Sequence, residues 1–298
     1  MLNSLFSFFA AGDSPEGIHV SLKAEELWNI GGISITNSML YGPLVAIVLG
    51  FILVRVAKKS RVKPVKGKFY AVAIVEATVK FVVGILEGAF GSRKQAFKYA
   101  PVFAMFFIFI LFNNISGLIP LVGSSIEVTT AEGNIPLFRP FTADLNGTLV
   151  MATVAIITVQ VLSIKAQGIK GHLTHYFSDK PLNPINLFIG ILEVFGEFTR
   201  ILSLALRLFL NTAVGEILIA VFTSLIFAYG STPIAVIPIL AFELLVAGIQ
   251  AYVFTVLTGT YLALAIAHAD HHDDEHHEEA IKVEELPDVN SKKVTASA

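Results

Sequence analysis

The sequence contains no cysteine. Disulfides, thiolate metal sites and cysteine nucleophiles are therefore excluded. Charge is scarce as well: Asp, Glu, Lys and Arg make up 15% of the 298 residues, where a soluble domain carries about 25%. With 54% hydrophobic residues and a mean hydropathy of +0.72, the chain lacks the polar surface of an ordinary cytosolic enzyme. A formal net charge of -2 and a pI near 6.4 leave no footprint for nucleic acid. There is no internal repeat, and no cofactor is expected. What remains is a membrane protein.

A bilayer span needs about 20 largely apolar residues. Five uncharged stretches are long enough: Leu27–Val54, Pro101–Ile126, Leu145–Ile164, Ile217–Phe242 and Leu244–Ala269. Gly31, Gly32 and Pro120 shorten the first two. Another apolar stretch, Pro181–Gly215, is interrupted by Glu193, Glu197, Arg200 and Arg207. Gly230, Pro233 and Pro238 break the fourth gap near its middle. The pattern thus predicts two long helices, about Pro184–Tyr229 and Thr232–His268, joined by a tight turn.

The segment Phe69–Phe90 is long enough to span but holds Glu76, Lys80 and Glu87, which fall within about 40° of one another on a helical wheel. Of the 21 basic residues, 11 lie between Arg55 and Lys98, ten of them on the two flanks of this segment and Lys80 inside it. Spanning would put one basic flank outside, against the positive-inside rule. The segment therefore reads as an interfacial helix on the cytoplasmic face. The expected fold is an all-α membrane protein with five membrane-crossing helices plus one interfacial amphipathic helix, the last two crossings forming a long hairpin. Its N-terminus lies outside and its C-terminus inside. The loops agree: Gly123–Ala143 holds two glutamates and a single Arg139, whereas Lys165–Lys180 holds three lysines and two histidines. Three regions follow: an external segment 1–34, a membrane domain 35–268, and an acidic, His-rich cytoplasmic tail 269–298, expected to be disordered. Five of the eight histidines fall within His268–His277, a composition that also suits a divalent metal. The first dozen residues are apolar but carry no basic region, so no cleaved signal peptide is expected.

An ionisable group at bilayer depth costs about 2.5–3.5 kcal/mol even on the lenient insertion scale, so each is a functional candidate. Six lie in the last two helices: Glu193, Glu197, Arg200, Arg207, Glu216 and Glu243. At 100° per residue, Glu193, Glu197, Arg200, Ser203, Arg207 and Asn211 share one face, and Glu216 lies about 180° from Arg207. Glu243, Gln250 and Tyr261 form one stripe on the following helix. With Gly230 as the turn, Glu216 and Glu243 fall at similar depth in the outer half, Arg207 and Gln250 roughly level nearer the middle, and Glu193, Glu197 and Arg200 deepest toward the cytoplasm. Two polar clusters with an arginine between them suit the movement of a proton or small cation in two half-steps. A carboxylate shielded from water can exchange protons near neutral pH, whereas arginine stays charged and cannot relay one. Arg207 is then a gate. A structural network also accounts for Glu193, Glu197 and Arg200, through i+3 and i+7 pairing and snorkelling. Asn114, Ser116, Asp144 and Asn146 read equally as helix caps or as channel lining.

The string from Ser203 through Arg207 and Asn211 to Gly215 and Glu216 closely resembles the signature of subunit a of F-type ATP synthases, the membrane stator that carries protons past a rotating c-ring. The resemblance extends to Lys66-Gly-Lys68-Phe69, Asn114-Ile-Ser-Gly-Leu-Ile-Pro120, Ala143-Asp-Leu-Asn146, Ile164-Lys165 with Gly168, Pro184-Ile-Asn186, and Gln250-Ala-Tyr-Val-Phe254 with Leu257, Thr258 and Tyr261. It implies that the two long helices are strongly tilted and that Arg207 is the stator arginine facing the ring carboxylate. Asn211, Glu216, Glu243 and Gln250 match the outer half-channel and Glu193 the inner one, with Arg200 where relatives often carry a basic residue. The implied partners are the c-ring, the subunit b peripheral stalk, the lipid bilayer and the translocated proton. The implied place is the cell inner membrane, with a periplasmic N-terminus and a cytoplasmic C-terminus, and the chain performs no covalent chemistry itself. Two positions depart from or vary within the pattern. Leu210 stands where the family usually has glycine, so a smaller partner side chain must meet it, and Glu243 stands where some relatives have histidine. The rival readings are a secondary cation transporter with a self-contained site, which would show broken helices and an inverted repeat, and a purely structural anchor.

Overall fold

A computed structural model describes residues 25–30, 33–60, 70–119, 127–130, 133–176, 184–228 and 237–284. A short antiparallel hairpin, β1 (Glu26–Ile30) and β2 (Ile33–Thr36), leads into α1 (Asn37–Ser60), α2 (Tyr70–Phe90) and α3 (Arg93–Gly117). A second hairpin, β3 (Glu127–Thr130) and β4 (Gly133–Pro136), and a 3-10 turn (Phe141–Ala143) precede α4 (Leu145–Tyr176), α5 (Pro184–Ala228) and α6 (Ile237–Glu284). Five of these six helices carry apolar stretches long enough to cross a membrane: Asn37–Lys58, Arg93–Gly117, Leu145–Gly168, Phe188–Ile219 and Ile237–Ala267. The fold is an all-α membrane protein with five such helices. The two small hairpins, absent from the sequence expectation, lie in segments that connect or precede helices.

The chain divides into two compact units, Met1–Thr158 with Phe195–Thr260, and Val159–Val194 with Tyr261–Ala298. In the first, a buried cluster of Tyr41, Val45 and Leu49 packs against Ile108, Phe109 and Phe138. Asp144 ties this region together. Its Oδ2 accepts a hydrogen bond from the Ser38 hydroxyl at 2.5 Å, and its Oδ1 accepts the Asn146 N–H at 3.0 Å, which caps α4. Phe141 fits against Gly42, where any Cβ would meet its ring.

The sixth helix, α2, is not among the five apolar spans. Gly91, at φ +62, reverses the chain in a conformation that favours glycine, so α2 returns antiparallel alongside the first half of α3. Phe90 stacks on Tyr99 and Phe81 meets Phe107 edge-on, with centroids 5.4 and 5.7 Å apart. Leu86 lies against Gly259 of α6, at a distance that leaves no room for a side chain there. Part of the apolar surface of α2 is thus covered by α3 and α6, with Val82 and Leu86 fully buried, while Ile74 and Phe81 remain exposed. The polar stripe stays outside: Lys80 pairs with Glu76 at 2.7 Å, both largely exposed, and holds the Glu76 carboxyl below its ordinary range.

In the second unit, Gly168 adopts φ +82 and kinks α4, so the segment expected as an internal loop from Lys165 is a bent helical extension as far as Tyr176. The Gln167 side-chain amide donates to the Ala265 carbonyl of α6. Helix α6 is described from Ile237; the expected start at Thr232 and the tight turn at Gly230 lie outside the described residues. Pro233 precedes it and Pro238 occupies its first turn, where a missing N–H costs nothing. At its other end it continues to Glu284, through the first half of the tail expected to be disordered. No glycine or proline occurs between Gly259 and Pro287, and the Ala- and Glu-rich composition favours helix. Residues 1–24 of the expected external segment and 285–298 of the tail lie outside the described residues.

Candidate functional site

Helices α5 and α6 run antiparallel, with their small and polar residues facing each other. Gly215 sits against Glu243: a Cβ there would run into its carboxylate. One turn earlier, Asn211 donates through Nδ2 to Gln250 Oε1 at 3.3 Å. The sequence expectation had set Gln250 level with Arg207; the residue it meets is Asn211, one turn farther on. Glu243 is 7% exposed and Gln250 4%. Among the described residues, Glu243 has neither a hydrogen bond nor an ion pair.

A cavity of about 30 Å3 opens beside this contact, lined among others by Asn114, Asn211, Thr212, Gly215, Glu216 and Glu243. That volume admits a water molecule, which needs about 10–15 Å3 by this measure. Asn114 of α3 also lines the cavity, and its Oδ1 is buried with no hydrogen-bond partner among the described residues. Of the residues left open between cap and lining, Asn114 lines the cavity and Asp144 caps α4. The Ser116 hydroxyl donates to the Asn113 carbonyl at 2.7 Å, and the Asn146 side chain is exposed.

The other carboxylate of the cavity, Glu216, is paired. Arg139 Nη2 lies 3.3 Å from Glu216 Oε2. Arg139 is 8% exposed and sits between two anchors, Phe138 against the Tyr41 ring at 5.9 Å and Pro140 against Gly117. Sequence reasoning missed this partner. The available signal was that Arg139 is the one basic residue of Gly123–Ala143. Gly215 was read only as part of a motif; its steric role appears with Glu243 in place.

Arg207 lies on the other side of α5, as its 180° separation from Glu216 requires. It is exposed, and among the described residues it makes no hydrogen bond or ion pair. Ser203, Leu210 and Val214 are exposed with it, Leu210 at 52%. The leucine at the unusual position is therefore left about half open among the described residues. Nearer the start of α5, Arg200 pairs with Glu197 through an i,i+3 ion pair. Glu193 and Tyr261 belong to the second unit.

The family model described as ATP synthase A chain matches residues 39–263, a stretch that contains every residue of this site. The chain belongs to the ATP synthase A chain family. Among curated relatives, ATP synthase subunit a of Desulforamulus reducens is 32% identical over 253 residues, covering 83% of this chain and 87% of that protein. The subunit a of Chlorobium phaeobacteroides is 33% identical over 258 residues (83% and 70%), and that of Aquifex aeolicus 29% over 232 residues (76% and 96%). Family membership and the five apolar helices make the chain a multi-pass membrane protein of ATP synthesis and ion transport. The family indicates a membrane subunit of the complex with no catalytic activity of its own.

Proposed function

We propose that the chain is the proton-translocating stator subunit of a rotary F-type ATP synthase, offering two offset half-channels to a c-ring with Arg207 as the electrostatic gate. The observation that carries this reading is Arg207 itself, an exposed guanidinium inside the apolar span Phe188–Ile219 with no counter-charge from its own chain among the described residues. Held at bilayer depth at a cost of about 2.5–3.5 kcal/mol, it is stabilised by an anion brought to its exposed face, and a carboxylate on a neighbouring ring supplies one. At 4 Å and an effective dielectric near 20, the attraction is about 4 kcal/mol. That is enough to drive a proton off an arriving ring carboxyl.

A proton enters from the outer side through the cavity at Glu216 and Glu243. It passes the Asn211–Gln250 pair to the ring carboxylate, and leaves, after nearly a full rotation, along the side of α5 that carries Glu193, Glu197, Arg200 and Ser203. Arg207 blocks the short route between the two paths, since it cannot relay a proton. Leu210, on the same exposed face one turn away, meets a small ring side chain. Basic residues between Arg55 and Lys98 hold that side in the cytoplasm and place the N-terminus in the periplasm of a cell inner membrane. Subunit b joins the chain to the peripheral stalk. The test is Arg207→Ala in the assembled complex: ATP-driven proton pumping disappears while assembly persists. Pumping at the normal rate would sink the assignment.

A further inference from the structure

Two carboxylates line one water-sized cavity, yet the fold treats them differently. Glu216 faces a guanidinium delivered by a loop 77 residues away in sequence, and that loop is fixed on both sides of Arg139. Glu243 is pressed beneath Gly215 and has no charged partner among the described residues. We propose that Arg139 is the positioning residue of the outer proton path, pinning Glu216 as a fixed counter-ion so that Glu243 is the carboxylate that takes up and hands on the proton. This rests on the outer half-channel reading above.

Two ionised carboxylates around one small buried space repel, and neither could then release and rebind a proton independently of the other. One guanidinium cancels one of them. The cavity then alternates between net zero, with Glu243 protonated, and one negative charge, with Glu243 ionised, which is the condition for carrying protons singly. The charged groups lining the cavity are Glu216 from α5 and Glu243 from α6, and Arg139, on the loop before α4, is paired with Glu216; α3 contributes the neutral Asn114. Glu243 is also the better placed of the two for onward transfer. It shares a helix stripe with Gln250, whose Oε1 accepts from Asn211 one turn before Gly215 on α5, and Asn211 is one turn from Arg207. Pairing in a buried setting makes the two charges interdependent, because removal of one leaves the other uncompensated.

The experiment uses the intact complex in sealed vesicles and reads ATP-driven pumping across a range of outer-side pH. Arg139→Gln and Glu216→Gln each lower pumping on the order of tenfold or more, as expected for an uncompensated buried charge, and displace the pH profile in opposite directions. The double variant Arg139→Gln/Glu216→Gln recovers most of the rate and the original profile. Glu243→Gln stops pumping in both the wild-type and the double-variant backgrounds. Arg139→Lys keeps the charge and retains pumping with a displaced profile. The proposal is overturned if the double variant is no better than either single variant, or if Arg139→Lys fails to assemble, which would make the arginine structural. If Glu216→Gln and Glu243→Gln both pump normally, the half-channel reading itself fails. If only Glu243→Gln stops pumping and the charge pair shows no mutual rescue, the half-channel stands and the role given to Arg139 does not.

Discussion

Gly215→Ala is the smallest change that tests whether the contact between α5 and α6 is functional. An added Cβ would overlap the Glu243 Oε2 position and come within 2.9 Å of Cδ and 3.2 Å of Oε1. Ordinary carbon contacts lie near 3.5–4.0 Å, so the carboxylate, whose nearer oxygen is overlapped outright, must retreat by about 1 Å or more. Glu243 is 7% exposed, and the space beside it is the cavity of about 30 Å3, where a water needs about 10–15 Å3 by the same measure. The methyl group therefore displaces either the carboxylate or the water path. Overpacking of this kind costs about 1–3 kcal/mol, and a misplacement near 1 Å at a reacting group costs up to about 100-fold in rate. The expected result is a pumping rate about 10- to 100-fold lower, read by fluorescence quenching in inverted vesicles, with the complex assembled at normal levels. Gly84→Ala on α2, where a Cβ meets nothing within 4 Å, serves as the control and should be neutral. Normal pumping by Gly215→Ala would refute the account of why glycine stands opposite Glu243.

Two further outcomes concern the scaffold. Ser38→Ala removes the hydroxyl donor to the buried Asp144 carboxylate; hydrogen bonds to charged groups are worth about 1.5–3 kcal/mol, so the isolated complex should melt at a lower temperature in a thermal scan with pumping little affected below the transition. Lys80→Ala removes the surface pair with Glu76. Because the Glu76 carboxyl is held below its ordinary range, any contribution of the pair is present above that range and is lost as pH falls through the lowered value. Both groups are exposed, so thermal stability at neutral pH should not change measurably.

Much of this arrangement could be read in the sequence because charge is so rare there. In a chain with 15% charged residues, Arg207, Glu216 and Glu243 stand out against long apolar runs. Taking Gly230 as a hairpin turn put the two glutamates at one depth, and the structure lines both along one cavity. Local signals also worked: Pro120 follows the end of α3, and Asp144 starts α4. What could not be read depends on pairing distant segments. Arg139 and Glu216 are 77 residues apart, and no periodicity joins a loop to a helix. The contact of α2 with α6, where Leu86 meets Gly259, is equally non-local, since a wheel shows which face is apolar but not what lies against it. The inner set is the least assembled: Glu197 and Arg200 pair, as i,i+3 spacing allows, while Glu193 lies in the second unit.

The central claim is that Arg207 separates two proton paths by its charge, and passive proton permeability tests it most directly. Vesicles holding the complex, stripped of its soluble part and energised by an imposed potential, should conduct protons faster with Arg207→Ala than with the wild-type chain, because the barrier between the paths is gone. The same variant should pump none. A permeability unchanged or lowered by Arg207→Ala, with pumping retained, would contradict the account.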